Sequence, residues 1–205
     1  MGKEFKMEVQ VPAYTITPTV SLPPRLTALI VVDMQIDFVG PGGKLLVKEA
    51  RRTVPAIRRL IVRARKARVP IVFTQDWHRP DDPEFSIWPP HTVEGTRGAR
   101  IIPELNPLPE DYFIRKRTYD PFFSTDLDLL LRQKGIQNLL IVGTVSNICV
   151  LHTAASARLR GYEIVVASDG LSSLTPFDQE AALRQISFVY QGKIARSEGV
   201  KFSKR

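Results

Sequence analysis

The sequence predicts a single α/β domain built on a parallel sheet with helices on both faces. Three observations lead there. Apolar runs of strand length recur at Leu26–Val32, Pro70–Thr74, Tyr112–Ile114, Asn138–Val142 and Glu163–Ala167. The core runs are continuous rather than alternating, as strands buried on both faces require. Segments of helical spacing separate most of them, and strand–helix alternation is the pattern of a parallel sheet covered on two sides. A chain of 205 residues, 43% apolar and 24% charged, can bury a full core as one domain.

Residues 1–25 read as an extended, Pro-rich N-terminal arm ahead of a single domain over 26–205. Pro12, Pro18, Pro23 and Pro24 break both helix and sheet interior, so the arm is expected outside the core, along the domain or across a neighbouring subunit. The first core strand, Leu26–Val32, ends at Asp33. A helix follows over 53–68, with Val54, Ile57, Ile61 and Ala64 as its apolar stripe. Arg51, Arg52, Arg58, Arg59, Arg63, Arg65, Lys66 and Arg68 crowd this stretch with no acid among them. They supply much of the net charge of +8. An anion or nucleic-acid surface is one reading, but no aromatic residues interleave the charges, so a solvated helix face is preferred.

The second strand, 70–74, leads to Gln75 and Asp76, then to a long loop rich in Pro, Asp and Gly that runs to about residue 100. Tyr112–Ile114 ends at Arg115 and Lys116. Ser124–Lys134 is a helix stopped by Gly135, and Asn138–Val142 a strand stopped by Gly143. Ser146–Arg160 is a helix with Ser146 as its candidate cap. Glu163–Ala167, a helix over Phe177–Phe188 and a short strand at Lys193–Ala195 complete the chain. No apolar run approaches the roughly 20 residues of a membrane span, and the N-terminus carries no signal-peptide pattern. One cysteine cannot form an internal disulfide, which fits a reducing compartment; a cytoplasmic location is expected.

In open parallel sheets, ligands sit beyond the carboxyl ends of the strands. Asp33, Asp76 and Lys116 each stand at such an end, and Cys149 lies just past another. A free cysteine taken alone is more often structural. Delivered to a shared rim, Cys149 becomes a candidate nucleophile in the first turn of a helix, where orphan N–H groups lower a thiol's pKa and can bind an oxyanion. Asp33 can accept the thiol proton and return it to a leaving group. Lys116 beside both would favour their charged forms. Asp76 and His78, with His91 thirteen residues beyond, suit zinc, or iron or manganese, with positions left open. His152 follows Cys149 by three residues and is assigned to packing or capping, since Asp33 already supplies a base.

Several motifs then coincide with one family. These are Val31-Val32-Asp33-Met34-Gln35-Ile36-Asp37-Phe38, Asp76-Trp77-His78, Trp88-Pro89-Pro90-His91 and the residues on to Gly98, Lys116, and Gly143-Thr144-Val145-Ser146-Asn147-Ile148-Cys149. From about Ala28 onward the chain resembles the isochorismatase-like cysteine hydrolases, and within them the nicotinamidases. The resemblance implies a six-stranded parallel sheet, a triad of Asp33, Lys116 and Cys149, and a divalent metal on Asp76, His78 and His91. It implies a cis peptide between Thr144 and Val145, with the N–H groups of Val145 and Cys149 as an oxyanion hole. It places Phe38 and Trp88 on either side of the substrate ring.

The implied activity is hydrolysis of a small carboxamide through a thioester, with nicotinamide to nicotinate and ammonia as the first candidate. A homo-oligomer acting on a small molecule, with neither membrane nor nucleic acid as partner, completes the expectation. Some residues depart from nicotinamidases. Asn147-Ile148 stands where those enzymes often carry an acid and an aromatic or His. The metal loop is shorter, and the segment from Tyr119 to Leu127 is closer to the N-carbamoylsarcosine and ureidoacrylate amidases. Such carboxylate-bearing substrates want a cation near the rim, for which Arg79, Arg97 and Arg117 are candidates. An isochorismatase-type hydrolase and a basic, non-catalytic binding protein are the remaining alternatives.

Overall fold

The computed structural model describes residue 8 and residues 10–203. Among the described residues there are eight strands: β1 Val20–Leu22, β2 Thr27–Val32, β3 Ile71–Asp76, β4 Tyr112–Lys116, β5 Asn138–Thr144, β6 Glu163–Ser172, β7 Lys193–Ala195 and β8 Val200–Phe202. Six of them make one sheet in the order β4-β3-β2-β5-β6-β7, every neighbouring pair parallel. The helices are α1 Ile36–Val39, α2 Ala50–Lys66, α3 Leu127–Gln133, α4 Leu151–Leu159 and α5 Pro176–Phe188.

The continuous apolar runs follow from the two covered faces. In β2, Leu29 and Val31 pack with Ile57, Leu60, Ile61 and Ala64 of α2 on one side. Ala28, Ile30 and Val32 pack with Leu127 of α3, Ala154 of α4 and Leu183 and Ile186 of α5 on the other. No helix among the described residues is long and apolar enough to cross a membrane.

Three expectations are corrected. The Pro-rich segment is not held clear of the core throughout. Residues 20–22 form β1, paired in parallel with β8, and Val20 and Leu22 are buried. The prolines flank this three-residue strand instead of interrupting it, and Ile16 bridges to Ile194. Residues 1–7 and 9 of the arm lie outside the described residues. Second, the basic helix starts at Ala50, three residues before the expected 53, with Pro55 inside it. Its buried stripe already begins at Ala50 and Thr53 and runs on through Ala56, Ile57, Leu60, Ile61 and Ala64. Third, Ser146 does not cap the helix after β5. Residues 146–150 form a π-helical turn, and the Ser146 hydroxyl lies 2.7 Å from Gln179 Oε1 and 2.9 Å from the Ser172 carbonyl.

Much of the basic face of α2 is engaged within the chain. Arg51 pairs with Glu104 at 2.8 Å and Arg65 with Asp111 at 2.7 Å. Arg63 donates to the Ser197 carbonyl at 3.0 Å and the Val200 carbonyl at 3.3 Å, and Arg59 reaches the Ser197 hydroxyl at 3.2 Å. These arginines fasten the turn that leads into β8.

Candidate active site

The rim of the sheet collects the predicted residues because neighbouring strands end together. Asp76, the last residue of β3, is the register partner of Lys116, the last of β4. Asp33 follows β2 with φ +50, a left-handed bend that Asp tolerates better than most residues. On the other side of β2, Val32 lies opposite Gly143 of β5. Gly143 has φ +123, and a Cβ there would stand 2.1 Å from the Val32 carbonyl oxygen, so only glycine fits where β5 turns toward Cys149.

Four groups converge in a dry cluster. Asp33, Asp76, Lys116 and Cys149 are all buried. Lys116 Nζ lies 2.7 Å from Asp33 Oδ2, in closer contact with Asp76, and 3.6 Å from Cys149 Sγ. The Thr74 hydroxyl donates to Asp33 Oδ1 at 2.6 Å. Asp33 Oδ2 has no hydrogen-bond partner beyond its ion pair with Lys116. Oxygens of Asp33 and Asp76 and the Cys149 sulfur lie within 4.8 Å of one another.

The charge balance of this cluster corrects one expectation. Burial raises the Asp33 carboxyl; Lys116 opposes that rise and Asp76 adds to it. Burial disfavours the Lys116 ammonium, yet Asp33 and Asp76 hold it charged, well above its ordinary value. Cys149 is pushed well up, first by burial, with Lys116 pulling it down and both carboxylates pushing it further. One cation cannot neutralise two carboxylates and a thiolate in a dry site. Burial and the two carboxylates therefore favour the protonated thiol over the thiolate.

After β5 the Thr144–Val145 peptide is cis. Ile148 and Val150 N–H groups both donate to the Val145 carbonyl, at 3.1 and 3.2 Å, leaving the N–H groups of Val145 and Cys149 outside these bonds. A pocket opens over Cys149, walled by Phe38, Leu45, Val47, Trp88, Tyr119, Ile148 and Leu174 and floored by Thr144 and Val145. Phe38 is buried and its ring lies 5.4 Å from that of His91, while Trp88 Nε1 donates to the Tyr119 hydroxyl at 3.0 Å. Asp76, Glu84 and His91 border the same pocket.

Arg79, Arg97 and Arg117 are exposed and do not line the pocket; Arg79 pairs with Asp81 and Arg117 with Asp82. His152 is exposed, and its Nδ1 lies 2.7 Å from the Ile148 carbonyl one turn earlier.

Asp76, His78 and His91 lie together with one ligand atom each within 4.8 Å of the others. Glu84 joins them, a residue that spacing alone did not single out. Its Oε1 is 3.9 Å from His78 Nε2 and 4.0 Å from His91 Nε2, and His78 Nε2 is 3.9 Å from Asp76 Oδ2. Behind the rings, His91 Nδ1 lies 2.8 Å from the Pro89 carbonyl, and His78 Nδ1 lies 3.2 Å from Asp82 Oδ2 without a directed hydrogen bond. That arrangement turns both Nε2 lone pairs inward. His78 Nε2 is buried with no hydrogen-bond partner, which a cation would supply. Tetrahedral zinc with bonds of about 2.0–2.1 Å sets ligands about 3.3 Å apart, and the Asp76–His78, His78–Glu84 and His91–Glu84 separations of 3.9, 3.9 and 4.0 Å are somewhat wider than that. Glu84 sits in a short 3-10 turn, Pro83–Ser86, and Tyr119 in an irregular segment, neither long enough to show a period; only the Asp-x-His spacing and its acid-rich neighbourhood hint at the former.

Residues 27–197 match the family described as Isochorismatase domain. The N-carbamoylsarcosine amidase of Thermoplasma acidophilum is 37% identical, with 84% of this chain and 96% of that chain covered and a TM-score of 0.78. The nicotinamidase of Bacillus subtilis is 31% identical, covering 83% of this chain and 99% of that one, at a TM-score of 0.79. The pyrazinamidase of Pyrococcus horikoshii in complex with zinc is 32% identical over the same shares, 83% and 99%, at 0.79. The chain belongs to the isochorismatase family and is a hydrolase.

Proposed function

We propose that this member of the isochorismatase family hydrolyses a small, uncharged carboxamide through a thioester on Cys149, with nicotinamide, giving nicotinate and ammonia, as the leading substrate. One observation carries the choice among amides. The pocket over Cys149 is walled by Phe38, Trp88, Tyr119 and aliphatic side chains, and no arginine or lysine lines it. A substrate carboxylate would find no arginine or lysine in this wall, and away from the candidate metal corner at Asp76, Glu84 and His91 it would face apolar side chains. A flat, neutral ring suits a wall of this composition, with Phe38 and Trp88 as its expected flanks.

Asp33 takes the Cys149 proton as the sulfur attacks the amide carbon. The N–H groups of Val145 and Cys149 receive the oxyanion. Asp33 then protonates the departing ammonia and next accepts a proton from the water that opens the thioester. Lys116 stays charged throughout and keeps the carboxylates from repelling each other. Asp76, His78 and His91, with Glu84, would hold a divalent ion, zinc in the first instance. Such an ion supplies a Lewis-acid anchor for a substrate lone pair. The likeness to the zinc-bound pyrazinamidase supports that choice of metal. The reading carries with it a cytoplasmic, homo-oligomeric enzyme.

The second reading is an N-carbamoyl or ureido amidase. It is favoured by the 37% identity to N-carbamoylsarcosine amidase and by the Tyr119–Leu127 segment. Ammonia release from nicotinamide, pyrazinamide, N-carbamoylsarcosine and ureidoacrylate separates the two, using wild type and Cys149→Ala. Nicotinamide and pyrazinamide should be turned over, with losses of at least about 10³-fold in Cys149→Ala. Turnover confined to the carboxylate-bearing pair refutes the neutral-amide reading, and full activity in Cys149→Ala refutes the mechanism.

A further inference from the structure

Asp37 is a buried acid that the mechanism above leaves without a task. Its side chain is 6% exposed, and no lysine or arginine among the described residues forms an ion pair with it. Its charge is met by backbone N–H groups instead. Oδ2 accepts from Thr92 N–H at 2.8 Å and Oδ1 from Lys44 N–H at 3.3 Å. The backbone of the same residue continues the pattern: its N–H donates to the Gly98 carbonyl at 3.1 Å, and its carbonyl accepts from Leu45 N–H at 3.2 Å.

Each of these bonds leads to the active site. Thr92 follows His91, the metal-cluster residue that also touches Phe38. Thr92 is fully buried with φ +42, a conformation a β-branched residue holds only under constraint. Lys44 and Leu45 begin the strip that brings Leu45 and Val47 to the pocket wall. Phe38, the next residue along the chain, forms part of that wall. Gly98 is packed so closely that a Cβ would stand 2.2 Å from Asp37 Oδ2, so the loop after His91 closes directly over this carboxylate.

We propose that Asp37 is the positioning residue that fixes the His91 corner of the metal cluster relative to the apolar substrate wall. The proposal rests on the metal and pocket assignments made above. One carboxylate fastens both parts, so the ring-to-metal spacing is set by its two oxygens. Asparagine has nearly the same shape but turns one acceptor into a donor facing an N–H, which leaves that N–H unpaired.

The test is zinc affinity of the chelator-stripped full chain, by titration against a competing chelator, with KM and kcat for the turned-over amide measured beside it. Asp37→Asn should weaken zinc binding by about tenfold or more, in the range of outer-shell changes at metal sites, and should raise KM. Leu183→Ala, on the far face of the sheet, is the control for stability loss alone. It should lower Tm and leave zinc affinity and KM within twofold.

If Asp37→Asn binds zinc and substrate as wild type does and only its Tm falls, the residue is structural and the proposal is wrong. Wild type that binds no zinc overturns the metal assignment itself, and this inference with it. Should Asp37→Asn fail to fold, amide exchange in wild type decides. Protection of the Thr92 N–H well beyond that of an exposed loop amide is expected, and exchange at the rate of an unbonded amide overturns the proposal.

Discussion

Replacing Lys116 by methionine tests the charge balance of the cluster most directly. Methionine keeps much of the length and removes the charge. Among the described residues, Lys116 is the one lysine or arginine paired with both buried carboxylates, 2.7 Å from Asp33 and closer still to Asp76. At an effective dielectric of about 20, a pair at that distance attracts by about 6 kcal/mol, from which desolvation must be subtracted. Breaking a buried pair by removing one partner costs about 3–5 kcal/mol, because an unpaired charge stays behind. Lys116→Met should therefore lose about that much stability, or roughly 6–20 °C in Tm for a chain of this size.

Urea denaturation of chelator-treated protein measures the loss. Asp33→Asn in the same background should recover part of it, since one stranded carboxylate is then gone. The pH dependence has a definite sign. Burial already raises the Asp33 carboxyl, and Lys116 is the neighbour that lowers it. Without Lys116 the folded state keeps a proton that the unfolded chain releases, so the variant should lose stability further as pH rises above about 4. A loss under about 1 kcal/mol, the worth of a surface pair, refutes the picture of a dry, single-cation cluster.

Two further outcomes follow from the structure. Leu22→Ala should cost about 2–5 kcal/mol by thermal or urea unfolding, because Leu22 is 3% exposed in β1; a change below about 0.5 kcal/mol means the N-terminal segment is not packed as described. Glu84→Gln should weaken zinc binding by about tenfold while leaving the fold intact by circular dichroism; unchanged affinity assigns the fourth position to water.

The sheet and most of the rim were legible because their signals are local. Apolar runs ending in Asp33, Asp76 and Lys116 announce both a buried strand and the position of its carboxyl end. What escaped was set by contacts distant in sequence. β1 and β8 are three residues each and pair across almost the whole chain, so neither shows a period of its own. The π-helical turn at Ser146–Val150 depends on Ser172 and Gln179, which the local Ser-capping pattern does not reveal. The helix-terminus argument anticipated an easily ionised thiol. Full burial beside two carboxylates reverses that, and burial of this degree is a property of the assembled core.

The rim cluster also bears on how the sheet finds its alignment. β2 and β3 are buried along their whole lengths on both faces. Apolar packing alone then discriminates weakly between neighbouring registers, since a one-residue slip exchanges one greasy face for another. The charges do not tolerate such a slip. Moving β4 by one residue against β3 would turn Lys116 to the opposite face and strand Asp33 and Asp76 in the interior. The same charged side chains, two proposed for the triad and one for the metal corner, thus act as an alignment key for the central strands, and a chain that folds out of register forfeits its stability and its active site together.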